Sequence, residues 1–175
     1  NEYVSKGWGV YAQDLVQVAP DWKILGGLRY DSMTGDYDTF TAATGVKTGS
    51  YRMKISEWSK RFGVLYQPSD LQSFHFSYGT SFNTSGEAYS LGAANVNTPP
   101  ESSENLELGT RIDSADKRFT TRLALFKSTK KHERNTDPLQ PGITVLSGKR
   151  HAAGIDMDIS GYITPKWEVF GSYMW

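Results

Sequence analysis

The stretch from Arg61 to Phe82, RFGVLYQPSDLQSFHFSYGTSF, limits what this chain can become more than any other. Apolar and polar side chains alternate on both sides of Pro68-Ser69-Asp70, the pattern of a β-hairpin closed by a turn. Phe62, Val64 and Tyr66 share one face of the first run, and Phe74, Phe76, Tyr78 and Phe82 share one face of the second. The other face of the second run is small or polar, with Ser73, His75, Ser77, Gly79 and Ser81. So dense an aromatic face needs a cover, which is either a second sheet or lipid.

The same alternation recurs along the chain. Strand-like runs occupy 7–18, 22–31, 58–67, 71–82, 105–113, 118–128, 152–162 and 167–175. Tight turns at 19–21, 68–70, 114–116 and 164–166 alternate with long polar segments at 33–57, 84–104 and 129–149. The runs match the ~9–11 residues with which a tilted strand crosses a bilayer. Short turns at one end and long loops at the other are what a transmembrane barrel requires, whereas a soluble sandwich has no reason to sort them.

Assigning the apolar parity outward gives each run two consistent faces. Trp8, Val10, Ile24, Leu28, Leu108, Leu125, Ile155 and Val169 then point out, and Gln13, Arg29, Asp31, Glu107, Arg111, Arg122 and Asp156 point in. An Arg or Lys at the bilayer midplane costs roughly 2–4 kcal/mol, so this separation is strongly directed. Trp8, Trp22, Trp58 and Trp167 fall near run ends, where an interfacial aromatic girdle belongs. The expected fold is all-β: an antiparallel transmembrane β-barrel segment of about eight strands, with short periplasmic turns and long extracellular loops.

Composition agrees with that reading once its logic is applied. Mean hydropathy is negative, which looks soluble, but only alternate residues of a barrel strand face lipid. No apolar run approaches the ~18 residues of a membrane helix. The 19 basic and 19 acidic residues cancel, so nothing points to nucleic acid. There is no cysteine, hence no disulfide and no thiolate metal site. The chain opens on NEYVSKGWG, without a basic-then-apolar leader, so an export signal is expected to have been removed or to lie upstream.

Several segments, in order, resemble the barrels of TonB-dependent siderophore receptors. They are GVYAQDLVQVAPDWKILGGLRYD, KRFGVLYQPSD, FHFSYGTSF, PPESSENLELGTR, LALFKSTKKHERNTDP and GKRHAAGIDMDISGYITPKWEVFGSYMW. The resemblance covers nearly the whole chain outside the loop tips, and its last hairpin is most similar to the catecholate receptors of the Fiu kind. It implies a TonB-driven receptor for ferric siderophores in the Gram-negative outer membrane, with outer-membrane lipid and lipopolysaccharide around it. Residues 1–175 would form part of such a barrel, with the plug domain, the TonB-contacting part and the remaining strands absent. The resemblance implies no enzyme and no bound cofactor, the iron being carried by the siderophore.

Candidate site residues follow from parity above the bilayer. Lys130, His132 and Arg134 in KSTKKHERN fall inward if the strand continues, as do Tyr37, Tyr51, Asn83 and Arg150. Basic side chains suit an anionic ferric complex, and Tyr stacks on aromatic groups while hydrogen bonding. A competing reading makes KSTKKHERN a solvated hairpin that neutralises lipopolysaccharide phosphates. His75 reads as a hydrogen-bonding wall residue, and His132 and His151 lack metal-ligand spacing. Asp156 and Asp158 lie about 7 Å apart on one wall, opposite basic residues, so they read as charge matching. No phosphate loop or nucleophile motif appears. Two other functions compete: a complete small eight-stranded barrel with a passive or structural role, and a soluble carbohydrate-binding sandwich.

Overall fold

The alternating runs form one eight-stranded antiparallel sheet whose spatial order is the chain order. A computed structural model of the chain describes residues 1–83, 91–92, 96–136, 139 and 144–175, with backbone alone for 134–136 and 144–147. The strands are β1 (Glu2–Ala19), β2 (Trp22–Phe40), β3 (Lys47–Ser69), β4 (Gln72–Asn83), β5 (Glu101–Asp113), β6 (Phe119–Thr136), β7 (Thr144–Thr164) and β8 (Trp167–Met174). Three of the four tight turns close through a register shift, between Gln17 and Ala19, Tyr66 and Ser69, and Tyr162 and Thr164. Such bulges raise local twist and let the strands turn over within a few residues.

The strands run further than the sequence runs do. Residues 33–40 and 47–57, expected as loop, continue β2 and β3 as a paired ladder from Met33–Ile55 to Phe40–Lys47. The connection at that end is a short turn, in which Gly45 adopts φ 66° and its N–H bonds to the Thr41 carbonyl. Likewise 129–136 and 144–149 lengthen β6 and β7. The expected long loops are thus in large part strand, and β3 reaches 23 residues where about ten cross a bilayer. In the second segment, residues 84–90 and 93–95 lie outside the described residues.

Which face is apolar depends on height. Along the lower part of the sheet the outward face carries two rows of rings. Trp8, Tyr30 and Trp58 form the upper row, with centroids 5.4 and 5.0 Å apart. Trp22, Tyr66 and Phe74 form the lower, at 4.5 and 6.2 Å. Eight positions separate Trp22 from Tyr30, and eight separate Trp58 from Tyr66. At about 3.3 Å per residue and a tilt near 40° that is roughly 20 Å of height, close to the ~25 Å apolar band of an outer-membrane barrel.

Between the rows nothing among the described residues covers the band. Leu28, Leu108 and Leu125 are 52, 56 and 51% exposed. A sandwich would bury this face under a second sheet; none is present among the described residues. Lipid is the cover. Two charges break the pattern: Asp14 and Lys60 share the outward parity, opposite Gly26 and Leu28.

The inward face at this height is polar and internally matched. Arg29 and Asp31 form a two-point pair at 2.7 Å, and Arg29 also stacks over Tyr11 at 5.9 Å. Arg111 bonds Asp113 at 2.9 Å, and His75 Nε2 lies 2.7 Å from Glu107. Asp158 stands directly opposite Arg122 in the ladder.

The topology is open to a direct test on cells. With the tight turns periplasmic, a cysteine at Asp116 should stay unlabelled by an impermeant maleimide until the outer membrane is opened. A cysteine at Thr44, in the β2–β3 connection, should label at once. The reverse pattern would invert the sheet.

Candidate ligand-binding site

Above the upper ring row the two faces exchange character. On β2 the apolar side chains move from even positions (Ile24, Leu28, Tyr30) to odd ones (Met33, Tyr37), and on β3 from Trp58 and Phe62 to Tyr51, Met53 and Ile55. The strands do not change; their solvent does. Outside, at this height, lies water, and the outward residues are polar: Arg52 bonds Asp36 at 2.6 Å and Ser50 bonds Asp38 at 2.7 Å. The Arg52 guanidinium holds the Asp36 carboxyl below the usual carboxylate range, and Lys47 with Ser50 does the same for Asp38.

Inside, the same strands build a small apolar cluster. Met53, Ile55 and Leu91 are buried, at 3, 5 and 3% exposure, with Tyr3, Met33, Tyr37, Tyr51 and Phe82 packed against them. Tyr3 stands opposite Tyr37, which stands opposite Tyr51, so three tyrosines cross three strands in one row. Tyr37 and Tyr51, singled out from the sequence, are therefore direct neighbours. Phe82, assigned to the aromatic outward set, instead packs on this cluster. The β3–β4 ladder ends at Arg61–Gly79, so the top of β4 is no longer held flat against β3.

The other predicted residues gather on β4 to β7. Asn83 stands opposite Glu101 at the top of the β4–β5 ladder. Lys130 and Arg150 stand opposite each other on β6 and β7. Each has an acid: Lys130 Nζ lies 3.1 Å from Glu101, and Arg150 Nη2 2.5 Å from Glu133. His132 interrupts the alternation with φ 55°, and its Nδ1 donates to the Pro100 carbonyl at 3.2 Å. The side chain of Arg134 lies outside the described residues; its backbone pairs with Leu146.

The site thus has two parts on one face, a tyrosine-rich apolar wall on β1–β3 and a charge-compensated wall on β5–β7. The end of β4 links them, with Phe82 in the first and Asn83 beside the second. Tyr3, Met33, Met53, Ile55, Leu91, Glu101 and Glu133 were not foreseen. The phase change of the apolar residues in SMTGDYDTF and YRMKISE was the available signal for the first group. Nothing local marks Glu101 or Glu133 as partners, because each ion pair joins two strands.

Comparison with known proteins fits this geometry. The chain is 26% identical over 172 residues to the probable TonB-dependent receptor BfrD of Bordetella pertussis, matching 94% of the chain and 23% of that protein. It is 26% identical over 193 residues to the catecholate siderophore receptor Fiu of Escherichia coli K12, covering 95% of the chain and 25% of Fiu. The crystal structure of the siderophore receptor PiuA from Acinetobacter baumannii superposes with a TM-score of 0.83 at 22% identity, over 99% of this chain and 25% of that one. The chain spans about a quarter of the length of these relatives. The family described as TonB dependent receptor-like, beta-barrel, matches residues 1–175 throughout. The sheet is therefore a segment of a transmembrane β-barrel, and the chain belongs to the TonB-dependent receptor β-barrel family.

Proposed function

We propose that this chain is the barrel segment of a longer outer-membrane receptor that takes up ferric siderophores with energy from the TonB complex, and that its ligands are of the catecholate class. The observation that carries the reading is the exchange of faces above the bilayer, which turns an aromatic wall toward the mouth. Tyrosine rings stack on aryl groups, and their hydroxyls bond ligand oxygens. The similarity to a receptor named for catecholate siderophores supports the class. Tyr37, Tyr51, Asn83, Lys130, His132, Arg134 and Arg150 are the proposed contacts, and the iron stays within the siderophore. Plug and TonB contacts belong to parts of the receptor outside these residues.

The test is uptake of labelled ferric complexes by cells whose only siderophore receptor carries this segment. Tyr37→Ala with Tyr51→Ala should raise the half-saturation concentration for a ferric catecholate about tenfold, from two ring contacts at roughly 0.5–1.5 kcal/mol each. Maximal rate should change less. Neutralising Lys130 and Arg134 together should also raise half-saturation, while Lys131→Gln, on the other parity, should not. Equal transport of a ferric hydroxamate would overturn the ligand class. Parity between Lys131→Gln and the double variant would remove the basic contacts from the site.

A further inference from the structure

The inward face at the height of the lipid band carries an arginine with no acid beside it. Arg29 and Arg111 each hold an aspartate, and Arg122 stands opposite Asp158. Arg61 has no acidic partner among the described residues. Its neighbours in the sheet are Gly27 on β2 and Gly79 on β4, with Ser59 and Gly63 two positions away along β3.

Those two glycines leave space that packing does not use. A β-carbon added at Gly79 would meet only the Lys60 carbonyl oxygen, at 3.9 Å, and one at Gly27 would meet nothing nearer than 3.4 Å. Neither has a positive φ, so backbone geometry does not require glycine there either. The result is a recess of about 380 Å³ around Arg61, lined by Tyr11, Gln13, Ser59, Ser81 and Asn105. That is the size of a small-molecule site. Gln13, Ser59 and Ser81 supply donors, and Asn105 Oδ1 accepts from Ser128 at 2.7 Å, which leaves its amide N–H groups to donate. Arg29 at the rim is already held by both Asp31 oxygens at 2.7 Å, so the open charge is that of Arg61. Ten residues of β3 separate Arg61 from Tyr51. At about 3.3 Å per residue and a tilt near 40° the recess lies roughly 25 Å below the candidate site at the mouth.

We propose that this recess is a second, lower station for the cargo, where Arg61 receives catecholate oxygens of a ferric complex after it leaves the mouth. The guanidinium fork takes two neighbouring oxygens at once, and oxygens bound to iron still accept hydrogen bonds. Lys130 and Arg150 at the mouth are already compensated by Glu101 and Glu133. An anionic complex descending past them meets in Arg61 a cation free to pair with it. The proposal rests on the siderophore-receptor reading and adds a step between capture and release.

Separating capture from passage tests it, in cells whose only siderophore receptor is the full-length protein carrying this segment. Binding of an iron-labelled ferric catecholate to de-energised cells reports the mouth, and energised uptake reports passage. Arg61→Gln should leave the half-saturation of binding unchanged and lower maximal uptake about fivefold, through loss of a charge-assisted pair. Gly79→Val fills the recess while keeping the guanidinium, and should have the same effect. Lys60→Gln removes a charge from the next residue, on the outward face, and should change neither quantity; a matching loss there would make the effect one of barrel charge and overturn the proposal. Normal maximal uptake in both Arg61→Gln and Gly79→Val, with normal binding, overturns the station and leaves the siderophore reading standing. Absence of binding by wild-type cells removes that reading and this proposal with it. A lowered urea midpoint for Arg61→Gln in the cargo-free receptor would mean that a carboxylate of the receptor itself fills the recess, which also overturns the proposal. Heat-dependent gel mobility reports assembly of each variant, and Gly79→Val decides the matter if Arg61→Gln does not assemble.

Discussion

Phe76→Arg should abolish or sharply reduce barrel assembly, and Ser77→Arg, one residue on, should be nearly silent. Phe76 sits between the two ring rows on the outward face, flanked by Val64 on β3 and Leu108 on β5, and its ring meets Phe62 at 6.4 Å. A guanidinium there is placed in hydrocarbon at a cost of roughly 2–4 kcal/mol, a large share of a marginal stability. Ser77 points the other way, between Gly63 and Glu107. An arginine at that position finds room beside the glycine and a carboxylate across the ladder. The measurement is the heat-modifiable gel shift of the receptor folded into lipid vesicles, with a urea titration of each variant. Equal tolerance of both changes would refute the face assignment on which the membrane reading stands.

Gly161→Val is the second change expected to be severe. Gly161 is buried opposite Phe119, at the start of the β6–β7 ladder. A β-carbon added there meets the backbone carbonyl of Arg118, with Phe119 Cδ1 at 2.5 Å and its Cα at 2.8 Å. Two of those three atoms are backbone, so no rotamer change relieves the overlap and the strands must part. Overpacking of this kind costs about 1–3 kcal/mol, and here it also disturbs the bond from Tyr162 N–H to the Arg118 carbonyl. Gly26 is the internal comparison, because nothing lies within 4 Å of a β-carbon added there. Gly26→Val on the lipid face should be close to neutral. Comparable urea midpoints for the two valine variants would show that the β6–β7 ladder yields more readily than this packing implies.

The eight strands, their order and their outward parity were legible in the sequence. Between the ring rows each strand has lipid on one face and a polar lumen on the other, so a period of two is imposed residue by residue. The turns at Pro20, Pro68 and Pro165 mark their own positions for the same local reason. Strand length was not legible. Above Tyr30 and Trp58 the apolar residues change parity as the outer solvent changes from lipid to water, and a pattern whose phase shifts resembles the loss of a pattern. Residues 33–40 and 47–57 therefore read as loop, although they pair without a break from Met33 to Thr39.

The candidate site divides along the same line. Sequence parity was enough to nominate Tyr37 and Tyr51, since position on a strand fixes which face a side chain takes. Only tertiary structure decided what each nominated cation meets. Lys130 and Lys131 are adjacent in sequence, yet one reaches Glu101 and the other Glu104, from opposite faces of β5. Only the structure placed Leu91, from a segment with no periodic signal, against Met53 and Ile55. Side-chain direction is a local property of a strand, whereas compensation of charge and burial depends on contacts between residues dozens of positions apart. The first was written in the sequence of this protein, and the second had to be folded to be seen.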